Sequence, residues 1–82
     1  MEDQAEAVQS REFAWTESDF RRIKDLIYRH AGISLHDGKQ AMVYSRISRR
    51  LRETRHRSFS DYLQWLESQG DADEWQSFVN AL

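Results

Sequence analysis

The chain has 82 residues, no cysteine, no proline and three glycines, with 32% charged beside 39% hydrophobic residues, a composition that fits one small helical domain. At this length folding buries about 60–65% of the surface of the unfolded chain, so one modest core forms, and neither a nucleotide-binding sheet nor a complete large-substrate enzyme fits beside it. Without cysteine there is no disulfide framework and no thiolate zinc site, and the acidic start Met1-Glu2-Asp3 is the opposite of a secretory signal. No apolar run approaches the roughly 20 residues of a membrane span, so a cytoplasmic location and no direct membrane insertion are expected.

The net charge of -2 conceals a strong segregation. Acids dominate residues 1–20 and 58–82, whereas residues 46–57 carry six arginines against the single Glu53. A basic centre between acidic ends either meets an acidic partner or is neutralised by those ends.

In chain order, residues 1–12 have few large apolar side chains and no period, which predicts a disordered lead before a domain over 13–82. Thr16 followed by Asp19 is a capping-box variant, and Phe20, Ile23, Leu26 and Ile27 recur at helical spacing. Gly32 closes this first helix, since a residue without Cβ adopts the left-handed conformation at little cost. Ile33 and Leu35 anchor a short connection. A second helix is expected from near Gly38 to about Thr54, with Val43, Ile47 and Leu51 as its apolar stripe. Ser58 or Ser60 caps a third helix built on Tyr62, Leu63 and Leu66, with Trp65 flanking, and Gly70 ends it. Asp71 or Asp73 caps a fourth, in which Trp75, Phe78, Val79 and Leu82 form the stripe. The expected fold is all-α, a small four-helix domain. The stop at Leu82, in mid-stripe and without a terminating signal, predicts a fragment of a longer protein.

Catalytic constellations are absent from the pattern. His30, His36 and His56 do not share metal-ligand spacing, the glycines are isolated, and no serine carries the signature of an activated nucleophile. The tryptophans sit on or beside apolar stripes, where core roles outnumber ligand stacking. No metal and no catalytic residue are therefore expected.

The arginine-rich helix is the exception. At about 100° per residue, Lys39, Arg46, Arg50 and, if the helix extends so far, Arg57 fall within roughly a 40° wedge beside the apolar stripe, while Arg49 and Arg52 point further into solvent. Such a ridge presents planar forks to carboxylates or phosphates. The alternative is a solvated face paired with Asp19, Asp25 or Glu53, each exposed pair contributing roughly 0–1 kcal/mol. A nucleic-acid-binding helical domain is a rival reading, but the net acidity, the connection before the basic helix and the scarcity of Asn or Gln beyond Gln40 oppose it, so no nucleic acid is expected.

The stretch Ile27-Tyr28-Arg29-His30-Ala31-Gly32-Ile33-Ser34-Leu35, then Lys39 and Met42-Val43-Tyr44-Ser45-Arg46-Ile47-Ser48-Arg49-Arg50-Leu51-Arg52, resembles the N-terminal helical domain of the CheR-type chemotaxis receptor methyltransferases. Ser58-Phe59-Ser60-Asp61-Tyr62-Leu63 and the closing Glu74 to Leu82 fit the same pattern, which covers residues from about 15 to 82. The resemblance implies a four-helix domain preceding an α/β domain that uses S-adenosylmethionine to convert receptor glutamates into methyl esters. It further implies that the basic second helix recognises the acidic methylation helices of the chemoreceptor, which puts Lys39, Arg46, Arg49, Arg50, Arg52, Arg55 and Arg57 in the candidate protein-binding set. The expected partners are those receptor helices and the chain's own C-terminal methyltransferase domain; the fragment alone should hold no cofactor and not catalyse. A second hypothesis makes the helix a docking surface for a regulatory adaptor that blocks receptor access. The sequence departs from the family's frequent Leu-Gly turn at Thr54-Arg55-His56-Arg57, where the last two arginines either extend the patch or fray.

Overall fold

The computed structural model describes residues 11–82, and there the chain forms four α-helices with no strand among the described residues. They are α1 (Glu17–Ala31), α2 (Gln40–Thr54), α3 (Phe59–Gln69) and α4 (Ala72–Ala81), with a 3-10 turn, Asp37–Lys39, leading into α2. The first ten positions of the expected lead lie outside the described residues. Its last two do not: the Arg11 guanidinium lies over the Tyr44 ring and Glu12 pairs with Arg52.

The starts of α1, α3 and α4 are fixed by a side chain that satisfies a free amide of the first turn, whereas α2 follows directly from the 3-10 turn without a side-chain cap. Thr16 and Asp19 form the reciprocal capping box, Ser58 accepts from the Asp61 amide, and Asp71 accepts from the Glu74 amide. Such caps contribute about 1 kcal/mol each. Gly32 ends α1 at φ 70°, the left-handed conformation that favours glycine. Gly70 ends α3 differently, in an extended conformation, and glycine is needed there because a Cβ would lie 2.5 Å from the Leu66 carbonyl oxygen.

The end of α2 settles the question raised at Thr54-Arg55-His56-Arg57. The helix stops at Thr54, and Arg55 takes φ 64° where glycine is usual. The Arg55 amide bonds to the Arg52 carbonyl and the His56 amide to that of Leu51, the paired pattern of a Schellman motif. Arg57 is therefore not on the helix and does not continue its row.

The core joins the stripes of the helices. Phe20, Ile23, Leu26 and Ile27 of α1 meet Val43, Ile47 and Leu51 of α2, Phe59, Tyr62, Leu63 and Leu66 of α3, and Phe78 of α4, with Leu35 entering from the connection. Burial of each such side chain contributes roughly 1.5–3 kcal/mol before conformational entropy is counted. The segment before α1 folds over this core: Trp15 meets Phe59, Tyr44 and Phe20 edge-on at 4.8–6.2 Å, and the Phe13 amide donates to the Tyr44 hydroxyl at 3.0 Å. At the opposite side, His30 of α1 stacks on Trp75 of α4 at 4.1 Å, tying the first helix to the last.

Candidate functional site

The predicted site residues divide into three groups. Arg50 does not stand open to water. Its Nη2 and Nε donate to the two carboxylate oxygens of Glu74 at 2.6 and 3.1 Å, and Nη1 donates to Glu53. Glu74 also accepts from the buried Tyr62 hydroxyl at 2.6 Å. With side-chain exposures of 21% and 9%, the Arg50–Glu74 pair is largely enclosed and links α2, α3 and α4. The expectation of an open fork at Arg50 is thus corrected: lying seven residues after Val43, two turns along the same face, Arg50 is carried over the core edge toward α4. The Glu74 carboxylate holds the Arg50 guanidinium above its ordinary range. Burial, reinforced by the hydrogen bond to Glu74, pushes the Tyr62 phenol far above its own.

Arg46, Arg49 and Arg52 lie at the surface. Arg46 donates to the Ala81 carbonyl at 3.3 Å, Arg49 reaches Glu53 at 3.4 Å with its side chain 74% exposed, and Arg52 pairs with Glu12 at 2.6 Å in the open. Exposed pairs of this kind contribute roughly 0–1 kcal/mol, so an incoming carboxylate can exchange with them. Lys39, Arg55 and Arg57 are exposed on the flanks of α2, and among the described residues none has a carboxylate within ion-pair distance. The structure therefore brings Arg46 and Arg49 together, sets Arg52 beside the incoming chain, and leaves Lys39, Arg55 and Arg57 outside the helical row.

Beside Arg46 and Arg49 runs a groove of about 430 Å³, with Arg50 at its floor and Ser77 and Asn80 of α4 on its far wall. Neither α4 residue was predicted from the sequence. The available signal was the three-residue recurrence of Glu74, Ser77 and Asn80, a polar row that starts beside apolar Phe78 and winds away from the α4 stripe.

Two of the histidines, His30 and His56, have local side-chain partners. His56 Nδ1 lies 2.7 Å from the Thr54 hydroxyl and its ring rests on Tyr62 and Trp65, while His36 precedes the 3-10 turn. Among the described residues no group of three or more His, Asp or Glu side chains could hold a metal ion, and no helix is long and apolar enough to cross a membrane. Gly32, Gly38 and Gly70 stand apart at three different helix ends, so they form no cradle for a nucleoside cofactor.

Residues 18–82 match the family described as CheR methyltransferase, all-alpha domain. A chemotaxis protein methyltransferase of Escherichia coli K12 is 49% identical over 69 residues, covering 84% of this chain and 24% of that protein. Chemotaxis protein methyltransferase 2 of Pseudomonas aeruginosa is 45% identical over 73 residues, covering 89% and 25%, and its namesake in Vibrio cholerae is 35% identical over 71. The chain spans about a quarter of the length of the curated relatives it matches. With four helices in the expected order and a match over nearly all the described residues, the chain belongs to the family of CheR methyltransferase all-alpha domains.

Proposed function

We propose that this domain is the receptor-recognition module of an S-adenosylmethionine-dependent protein-glutamate O-methyltransferase, working in the cytoplasm on chemoreceptors. Its contact with the acidic methylation helices is made by Arg46, Arg49 and Arg52 of α2, with Lys39, Arg55 and Arg57 adding charge at the flanks. The observation that carries this reading, beside the family, is that Arg46 and Arg49 hold only weak, exposed partners on a rigid helix. Arg50 is withdrawn from the contact set, because its fork is committed to Glu74 and Glu53. It acts instead by holding α2 in place. Binding of S-adenosylmethionine and the methyl transfer are assigned to a further domain of that enzyme.

A field of arginines raises the rate of encounter with an acidic bundle and weakens as salt rises, over a screening length of about 8 Å at physiological ionic strength. In the enzyme that carries this domain, Arg46→Glu with Arg49→Glu should lower kcat/KM for receptor methylation by roughly 10- to 100-fold, chiefly at low salt, with the helical content unchanged. Methylation at the parental rate in that double variant would reject the assignment.

A further inference from the structure

The groove between α2 and α4 has an unbalanced set of hydrogen-bonding groups. Its acceptors are already engaged: Glu53 by Arg49 and Arg50, the Ala81 carbonyl by Arg46, and the Asn80 side-chain oxygen by Gln76 at 2.9 Å. Its donors are not. Among the described residues neither the half-buried Ser77 hydroxyl nor the Asn80 side-chain nitrogen has a partner, and Arg46 and Arg49 keep N–H groups facing water. Gln76, by accepting the role of donor to the Asn80 oxygen, orients the Asn80 amide so that its own N–H groups remain available.

We propose that this groove is a carboxylate seat built by two helices, in which Ser77 and Asn80 of α4 determine specificity beside Arg46 and Arg49, and that its occupant is a glutamate side chain of an acidic helix. The proposal rests on the receptor-recognition reading above and adds residues to it. An ionised carboxylate brings about four lone-pair positions and no proton, which suits the free N–H and O–H groups of Arg46, Arg49, Ser77 and Asn80, while Glu53, which also lines the groove, is already paired with Arg49 and Arg50. A glutamine would bring one neutral carbonyl oxygen and an N–H donor group in place of the second anionic oxygen, and a glutamyl methyl ester would bring neither charge nor that second anionic oxygen. The seat therefore discriminates an unmodified glutamate from both, and it loses its grip once that side chain has been esterified. At about 430 Å³ the groove also admits part of the helix that bears the side chain.

The test is a nuclear magnetic resonance titration of the isotope-labelled 82-residue chain with a soluble helical peptide bearing glutamates on one face. Its glutamine and glutamyl-methyl-ester counterparts serve as competitors. The glutamate peptide should shift the Asn80 side-chain amide, the Ser77 and Asn80 backbone amides and the Arg46 and Arg49 Nε signals, and bind about tenfold or more tightly than either counterpart. Ser77→Ala combined with Asn80→Ala should weaken the glutamate peptide about tenfold and leave the glutamine peptide unchanged. If that variant binds the glutamate peptide like the parent while Arg46→Glu with Arg49→Glu abolishes binding, α2 docks the partner without the groove, and this inference fails while the proposed function stands. Shifts confined to the exposed Tyr28 on α1 would overturn both.

Discussion

Replacing Arg50 with alanine isolates the energetics of the buried network. The substitution would leave the Glu74 carboxylate, 9% exposed in its side chain, with only the Tyr62 hydroxyl and whatever water reaches the space vacated by the guanidinium. Removing one partner of a buried ion pair costs about 3–5 kcal/mol, and the 21% exposure of Arg50 favours the lower end of that range. A domain of this size has a total stability of roughly 4–12 kcal/mol, so the loss is a large share of the whole. Chemical denaturation followed by tryptophan fluorescence should show it as a fall in midpoint of roughly 2 M urea, and thermal melting as a drop of at least about 12 °C. Arg46→Ala, at the surface on the same helix, is the control and should cost about 0.5 kcal/mol or less. Pairing Arg50→Met with Glu74→Leu should recover at least half of the loss, because no unpaired charge then remains. If Arg50→Ala were no more harmful than Arg46→Ala, the view that this arginine holds three helices together would be wrong. By the same physics Arg50→Glu would set two carboxylates face to face, so charge reversal there unfolds the domain and cannot be read as loss of partner binding.

Two further outcomes follow from the same structure. The Tyr62 phenol has a folded pKa above its unfolded value of about 10, so the folded state holds that proton more tightly; its contribution is complete below about pH 10 and is lost as pH rises beyond it. Tyr62→Phe should flatten the alkaline limb of the stability profile, measured by denaturation between pH 8 and 11, while costing about 1.5–3 kcal/mol at neutral pH through the hydrogen bond lost to Glu74. Arg55→Gly should stabilise the domain by about 1 kcal/mol, since it relieves a left-handed conformation at an exposed position; an unchanged denaturation midpoint would contradict that strain.

The elements and their caps were legible because they are local. Thr16 with Asp19, Ser58, Asp71 and Gly32 each act within one turn of themselves, and the apolar stripes name the inward faces without reference to any other helix. What escaped depends on two helices at once. The helical wheel placed Arg50 beside the stripe but could not say that α4 would bring Glu74 to that spot, nor that Ser77 and Asn80 would close a groove against Arg46. Glu74 stands one turn before Phe78 on the apolar face, and a carboxylate in such a place requires a buried cation; read together with Arg50, that pairing was within reach of the sequence. The turn at Arg55 was harder, since a left-handed arginine carries no compositional mark, and only the hydrogen bonds from Arg55 and His56 back to α2 reveal it.

Gly70 sets where the last helix can lie. The chain passes so close to the Leu66 carbonyl that even a methyl group would meet backbone at 2.5 Å, leaving a two-residue elbow with little freedom to bend. The bearing of α4, and with it the spacing between Asn80 and the arginines opposite, is governed by the absence of one carbon atom. A variant enlarged at this position would swing the far wall of the groove without altering a single residue that lines it.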